Sequence, residues 1–385
     1  MKTALGMIVR SIDTDEEIMR FIENAEKYGH KLDCVIAAYS QRIDPDAAEK
    51  IDRKVPFFPI NVIDPSFCVE EFRRRGMSQN AFDSLLECPV DSGFGLVPYG
   101  FNRTIVTIEA ILRGADILFF VDNDVYPSFL DSTTEGFTVR DMDFFGSHLR
   151  SLNSGSMITT GEYSGYNILP PASFEGMEDL LLGLQKGDML EYWQNSRTHR
   201  SITARPLEPE IVPCTKILGG NTAITLSAFQ SLPPFFSSSY IVDDELYLNR
   251  GEDTVLGLGI AKSGLTCTEI GLYPMHDTYK NYPDEPDLQR DPEVQDRFFY
   301  ACTGWVGRNP FYNYLLGNDI QSVREFQRER LERGLAELVK YTSNPRFSNV
   351  LRNFEVSWDS LGRYVSEFEQ VLEAWDEFRE RSDLL

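Results

Sequence analysis

Two aspartates one residue apart, Asp122 and Asp124, directly follow the apolar run Phe119-Phe120-Val121. Such a run predicts a buried strand, and carboxylates at its end lie where open α/β sheets bind ligands. Carboxylate oxygens suit Mg²⁺ or Mn²⁺, whose open coordination positions suit phosphate oxygens. The pair therefore predicts a divalent-cation site, and an ordinary acidic turn is the alternative.

A second acidic pair, Glu252 and Asp253, stands in residues 250–257 (RGEDTVLG), where a helix is predicted from about Asp253 to Ser263. Acidic side chains are favourable at a helix N-terminus for stability alone. A positioned carboxylate can also take the proton of an alcohol nucleophile, which is otherwise weak. General base and helix cap are both open interpretations of this pair.

A polar amide, Asn102, and a positive charge, Arg103, precede the first acidic pair, near the start of a helix predicted from about Tyr99 to Arg113. Helix N-termini and arginine both favour phosphate groups. These residues are therefore candidates for holding an anionic ligand, and an arginine facing solvent on a capped helix is the alternative.

These candidates need elements that bring them together, and the first third of the chain supplies an alternating pattern. Strands are predicted at Thr3–Val9, Leu32–Ala38, Pro56–Val62 and Asp116–Val121, with a helix at Thr14–Tyr28 that Gly29 ends. Alternation of this kind is typical of an α/β domain with a mostly parallel sheet. Further strand-like runs are predicted at 216–226 and 265–272.

The pattern divides the chain into an α/β domain at 1–280, a linker rich in Pro and Asp at 281–293 and a helical region at 294–385. An apolar stripe in the last region has spacings of three and four residues, and comprises Phe354, Trp358, Leu361, Val365, Phe368, Leu372 and Trp375. The stripe is interpreted as packing onto the chain's own α/β domain. Pairing between protomers in a homodimer is the alternative.

Composition excludes several classes of function. The 385 residues carry 37 Lys and Arg against 60 Asp and Glu, a formal net charge of −23, so nucleic acid is a poor partner. An acidic protein with an anionic substrate needs a metal ion or a small basic pocket to hold it. The cysteines show no C-x-x-C spacing, and no signal peptide or membrane-spanning run is found, which predicts a cytoplasmic protein.

The strand order and the D-x-D position resemble the GT-A fold of nucleotide-sugar-dependent glycosyltransferases, a Rossmann-like α/β fold. Residues 250–257 are similar to the G-E-D-x-x-L-G motif of family 2 inverting members. The resemblance covers about residues 1–280, with a nucleotide half at 1–127 and an acceptor half at 128–280. It implies that Asp122 and Asp124 hold Mn²⁺ or Mg²⁺ on the donor diphosphate, and that Asp253, beside Glu252, is the general base.

Further roles are implied by the same resemblance. Asn102 and Arg103 would contact the donor, His276 would be a third metal ligand, and Asp64, after the third strand, would contact the nucleotide base. For His276 a purely structural role is the alternative.

The acceptor side is expected in two segments. Gly219, Gly220 and Asn221 are similar to the small-residue segment before the acceptor-side strand, where paired glycines let a backbone approach a ligand or make a tight turn. Tyr163 and Tyr166, in the predicted loop 150–175, are expected to stack on sugar rings.

Two departures from the family pattern limit these expectations. Residues 9–13 (VRSID) replace the usual Pro-x-Tyr-Asn, which leaves UDP-sugar and GDP-sugar donors both open. The Gln-x-x-Arg-Trp motif of processive members is missing. The expected activity is therefore transfer of a single sugar to the hydroxyl of an unknown acceptor, with inversion.

Three other functions are weighed against this expectation. Retaining GT-A enzymes share the D-x-D and the late histidine, and their reaction would not need Asp253 as a base. A phosphatase-like enzyme would use Asp122 as nucleophile, but that class usually carries its motif near the N-terminus. A GT-A-like assembly protein without catalysis would not need both acidic motifs.

Overall fold

The structure is a computed structural model that describes residues 1–133, 136–166, 168–190, 212–280, 282 and 284–382. Its strands, in chain order, are β1 (Thr3–Ile12), β2 (Cys34–Ile43), β3 (Phe57–Asn61), β4 (Ile117–Asp122), β5 (Val125–Tyr126), β6 (Ser128–Thr133), β7 (Gly136–Asp141), β8 (Ile158–Thr160), β9 (Ser164–Tyr166), β10 (Val212–Pro213), β11 (Asn221–Thr225), β12 (Ser239–Val242), β13 (Glu245–Leu248), β14 (Cys267–Glu269) and β15 (Met275–Asp277).

Helices connect and cover these strands. In chain order they are α1 (Glu16–Tyr28), α2 (Pro45–Asp52), α3 (Ser66–Arg74), α4 (Gln79–Leu85), α5 (Tyr99–Leu112), α6 (Phe144–Asn153), α7 (Met177–Gly183), α8 (Glu252–Ser263), α9 (Pro292–Leu316), α10 (Ile320–Thr342), α11 (Asn349–Asp359) and α12 (Leu361–Arg381).

The central sheet has eight strands in the spatial order β10-β14-β8-β11-β4-β1-β2-β3. Strands β1, β2, β3 and β4 pair in parallel, and β11 inserts antiparallel between β4 and β8. Strand β14 runs parallel to β8. The predicted α/β fold with a mostly parallel sheet and a helical C-terminal part is therefore confirmed.

The sheet is buried on both faces, as a parallel sheet requires. Along β1, Ala4 and Ile8 point into a core with α3, α4 and α5, while Leu5 and Met7 point into a core with α1 and α6. This alternation follows from the two-residue period of a strand. It leaves only the strand ends free to carry polar groups.

Element boundaries differ from the sequence prediction by a few residues, for local reasons. Strand β1 continues to Ile12 because Ser11 and Ile12 pair with Arg42 and Ile43 beyond a shift in register. Helix α1 ends at Gly29, as predicted, with φ of 76° and its N–H donated to the carbonyls of Ala25 and Glu26.

The apolar stripe of the C-terminal region is shared between two helices, α11 and α12, which meet at Ser360. Trp375 is fully buried in the α/β core and its Nε1 donates to the carbonyl of Leu232 at 3.1 Å. Phe354 and Trp358 lie in a separate core with α9. The stripe therefore packs within the chain. None of the helices described is long and apolar enough to cross a membrane.

Candidate active site

A cavity of about 1940 Å³ opens at the carboxyl ends of β1, β2 and β4 and extends to α9. Most of the predicted site residues line it, namely Asn102, Arg103, Asp122, Asp124, Tyr163, Tyr166, Gly219, Glu252, Asp253 and His276. Clefts at this edge of an α/β sheet are the usual ligand sites of such folds. Residues from both predicted halves of the α/β domain therefore meet in one place.

Asp124 lies in the two-residue turn between β4 and β5, and its side chain is only 10% exposed. Its Oδ1 is 3.0 Å from His276 Nε2, and its Oδ2 accepts a hydrogen bond from Arg297 Nη2 at 2.6 Å. Burial alone would raise the pKa of Asp124, but His276 and Arg297 hold this pKa well below its usual value. Asp124 is therefore an anion held between the Arg297 guanidinium and the His276 imidazole.

The position of His276 is set by β15, which pairs antiparallel with β5 so that His276 lies opposite Val125. Burial would lower the pKa of His276, but the charge and hydrogen bond of Asp124 raise it above its usual value. The imidazole also packs against the ring of Tyr163 in a tilted arrangement, with ring centroids 4.7 Å apart. The pairing of β15 with β5 thus brings His276 to Asp124 at the carboxyl end of β4, which is called the strand tip below.

Arg103 connects the two acidic motifs. Its Nη2 donates to Asp122 Oδ1 at 2.8 Å, and its Nε donates to Glu252 Oε1 at 3.1 Å. Its Nη1 donates to the carbonyl of Gly219 at 2.8 Å, and the guanidinium lies over the ring of Phe120. Burial would lower the pKa of Arg103, but Asp122 and Glu252 raise it above its usual value, so its charge is permanent.

Gly219 and Gly220 make this arrangement possible. A Cβ on Gly219 would lie 2.6 Å from Arg103 Nη2, and a Cβ on Gly220 would lie 2.3 Å from Asp122 Oδ2. Both distances are too short for any side chain. The paired glycines therefore let a turn close over Arg103 and Asp122, and their contact with a ligand stays a prediction.

The two carboxylates at the start of α8 have different surroundings. Gly251 caps the helix with φ of 95°, so Glu252 and Asp253 occupy its first turn. Glu252 is buried against Arg103, and burial together with Asp253 raises its pKa. Asp253 is half-buried, faces the cavity, and accepts only local hydrogen bonds from Thr254 among the described residues. Asp253 is therefore the carboxylate available to a ligand.

The two predicted tyrosines, Tyr163 and Tyr166, have different surroundings. Burial raises the pKa of Tyr163 well above its usual value, so its hydroxyl stays a hydrogen-bond donor. Tyr166 belongs to β9, which pairs in parallel with β15, opposite Asp277. Both line the cavity, and their stacking on a sugar stays a prediction.

Three predicted residues lie outside the cavity lining. Asp64 is exposed in the turn after β3. Gly220 packs against the carboxylate of Asp122. Asn221 is fully buried, and its Nδ2 donates to the carbonyls of Glu162 and Leu272 at 2.9 and 3.3 Å. The Asn221 side chain therefore holds two loops together beneath the cavity.

The environment of Asn102 differs from that of Arg103, the next residue in the chain. It is buried on the cavity wall, and its Nδ2 makes only a long hydrogen bond of 3.5 Å to the carbonyl of Val97. Its Oδ1 has no hydrogen-bond partner within the described part of the chain. Buried polar atoms are usually satisfied, so this oxygen is available to a ligand group.

Cationic residues of the helical region were missed by the sequence analysis. Arg297 and Arg308, both on α9, line the cavity, as does Lys186 after α7. Sequence signals do not distinguish these residues from surface charges on amphipathic helices. Their position in the cavity depends on tertiary packing, which places α9 across the carboxyl ends of the strands.

The donor set at the strand tip suits a hard divalent cation, because two carboxylates and an imidazole are common ligands of Mn²⁺. Asp124 and His276 are already in contact, whereas Asp122 is turned toward Arg103. Over the described ranges no three His, Cys, Asp or Glu side chains converge as a complete metal site. Metal binding there would draw Asp122 toward the other two residues.

No protein-family model and no curated protein sequence matches the chain. Among solved structures it is similar to glucosyl-3-phosphoglycerate synthase from Mycobacterium tuberculosis in complex with phosphoglyceric acid, with 12% identity, a TM-score of 0.37, and coverage of 82% of this chain and 80% of that chain. The complex of that synthase with Mn²⁺, UDP and glucosyl-3-phosphoglycerate gives 13%, 0.35, 79% and 79%. S. aureus TarS 1-349 gives 10%, 0.40, 100% and 90%. The function is therefore argued from the site itself.

Proposed function

We propose that this protein is a metal-dependent glycosyltransferase that moves one sugar from a UDP- or GDP-sugar to an acceptor hydroxyl with inversion. The observation that carries the proposal is Arg103, which joins Asp122 to Glu252 at 2.8 and 3.1 Å. This contact brings two acidic motifs from distant parts of the sequence to one cavity. Binding of the donor and removal of a proton from the acceptor can then take place in the same cavity.

The strand tip is the proposed donor end. Asp122, Asp124 and His276 would hold Mn²⁺ or Mg²⁺, which supplies positive charge for a leaving diphosphate. Arg297, which donates to Asp124 Oδ2, and the unpaired Oδ1 of Asn102 line the same region. These side chains add a cation and a hydrogen-bond acceptor for the remainder of the donor.

Asp253 is the proposed general base. It faces the cavity from the first turn of α8, and no Lys, Arg or His nitrogen in the described residues lies within 4.0 Å of its carboxylate. Its oxygens can therefore accept the proton of an acceptor hydroxyl as the new bond forms. Glu252 is less suited to this task because Arg103 engages it.

The test has two stages, beginning with the donor. Wild-type protein is titrated with UDP, GDP and dTDP, each with and without Mn²⁺, and metal-dependent binding of at least one nucleotide is expected. The corresponding nucleotide sugars are then assayed for metal-dependent hydrolysis. Absence of any metal-dependent binding or turnover would remove the proposed function.

The second stage compares Asp253→Asn with the wild type. Loss of a general base costs about 10²- to 10⁴-fold in rate, whereas nucleotide binding with Mn²⁺ should be unchanged. Asp359→Asn is the control, because Asp359 is 69% exposed on α11 and does not line the cavity. Near-normal turnover of Asp253→Asn would favour the retaining mechanism over the inverting one.

A further inference from the structure

We propose that the part of the cavity beside the start of α8 contains an anion subsite formed by Arg308 and Lys186, so that the acceptor is a hydroxyl compound carrying a phosphate or carboxylate group. The identification of the bound molecule as an acceptor rests on the proposed function. The anion subsite itself does not, and it can be measured without a donor.

Arg308 is a partly buried arginine whose described hydrogen-bond partners include no carboxylate. Its Nε and Nη2 donate to Asn309 Oδ1 at 3.3 and 2.9 Å, and its Nη2 also donates to the carbonyl of Gln185 at 3.2 Å. No Asp or Glu oxygen of the described residues lies within 4.0 Å of its guanidinium, as ion pairing would require. The hydrogen-bond partners of its guanidinium among the described residues are therefore all neutral.

The side chain of Arg308 is held in place by packing. A Cβ on Gly251 would lie 2.5 Å from Arg308 Cδ, so the arginine stem passes directly over the N-cap of α8. The guanidinium also lies 5.5 Å from the ring centre of Tyr312. Its direction into the cavity is thus built into the fold.

Lys186 brings a second positive charge close to the first. Its side chain is 16% exposed, and its Nζ lies 3.0 Å from Asp188, whose own side chain is 58% exposed. Burial and the charge of Arg308 both lower the pKa of Lys186. Two neighbouring cations that share one exposed carboxylate repel each other, and an anion would relieve that repulsion.

This arrangement is costly unless a ligand uses it. Withdrawing part of a charged group from water costs free energy unless the charge is paired, and with 60 Asp and Glu the chain has ample acid to supply a partner. The overall charge of −23 would also repel an anionic substrate everywhere else on the surface. Local positive charge inside a cavity is the physical requirement for binding such a molecule.

The position of the subsite fits a role in acceptor binding. Asp253 is close in sequence to Gly251, against which the Arg308 stem packs, and its charge acts on Arg308. An anion on Arg308 and Lys186 would therefore place an attached hydroxyl near the start of α8. The acceptor would be held at one end by its charge and deprotonated at the other.

The test is a calorimetric titration of the full chain with inorganic phosphate at low ionic strength, without metal or nucleotide. Wild type is expected to bind one phosphate, and Arg308→Met is expected to weaken binding at least tenfold. Arg308→Lys retains the charge and should keep most of the affinity. Lys340→Met, at a 70% exposed position on α10, is the control and should bind as the wild type does.

Each outcome of the titration bears directly on the anion subsite. If wild type binds no phosphate, or if Arg308→Met binds as tightly as wild type, the subsite is overturned. Loss of phosphate binding in Arg297→Met but not in Arg308→Met would place the phosphate at the strand tip and would also overturn the subsite. If acetate at a similar concentration competes with phosphate, the anionic group of the acceptor is assigned as a carboxylate. If acetate does not compete, that group is assigned as a phosphate. Phosphate binding without metal-dependent nucleotide binding would keep the subsite and remove the proposed function.

Discussion

The cavity holds two of its arginines in opposite ways. Arg103, at the strand tip, is buried and has two carboxylate partners and a backbone carbonyl. Arg308, beside the start of α8, is partly buried and has only a side-chain amide and a carbonyl as hydrogen-bond partners among the described residues. The charge of Arg103 is balanced within the protein, whereas the positive charge of Arg308 is left for a ligand.

The difference follows from the elements that build each end. The strand tip is formed by β4, the turn before β11 and the buried helix α5, where polar groups are surrounded by core. The surroundings of Arg308 are formed where α9 and the chain after α7 approach the start of α8. Both arginines line the cavity, but Arg103 is almost completely buried and must pair its charge within the protein, whereas the partly buried Arg308 need not.

The largest effect is expected for Arg103→Met. This change removes the ion-pair partner of the buried Glu252 and an ion-pair partner of Asp122. Breaking a buried ion pair typically costs about 3–5 kcal/mol of unfolding free energy. Urea denaturation measures the loss. Arg53→Met is the matched control, because the Arg53–Glu49 pair is exposed on α2 and should contribute less than about 1 kcal/mol. Equal losses in the two variants would contradict the comparison.

A smaller loss is expected for Gly220→Ala. The new Cβ would lie 2.3 Å from Asp122 Oδ2 and 2.7 Å from Tyr163 Oη, so the strand tip must shift. Overpacking of this kind costs about 1–3 kcal/mol, measurable as a lower melting temperature, and should also weaken metal-dependent nucleotide binding. Gly362→Ala, on α12 where a Cβ would meet nothing within 4 Å, should lower neither quantity, because alanine is also the better helix former. Unaltered nucleotide binding in Gly220→Ala would argue against a donor site at Asp122.

The smallest effect on stability is expected for Arg308→Met. Methionine preserves most of the stem that packs on Gly251 and removes a charge that has no carboxylate partner among the described residues. The unfolding free energy should stay within about 1 kcal/mol of the wild type or rise, because a partly buried charge without an ion-pair partner is replaced by an apolar group. A loss as large as that of Arg103→Met would show that Arg308 is structural.

Sequence reasoning succeeded where the signal was local. The apolar run before Asp122 places that residue at the end of a central strand, and Gly29 ends α1 by adopting a left-handed conformation. It was less successful for the segment before β11, where the predicted strand 216–226 contracts to Asn221–Thr225. There the backbone instead turns over Arg103 and Asp122, a contact between distant parts of the chain.

The amino-acid sequence by itself determined the α/β alternation, the acidic strand tip and the acidic start of α8, because side-chain periodicity and helix-end chemistry act between near neighbours in the chain. Only the tertiary structure decided that Arg103 would join the two acidic motifs and that Arg297 and Arg308, from the helical region, would line the cavity. Such contacts depend on how whole elements pack, since burial and charge pairing are settled between residues far apart in sequence.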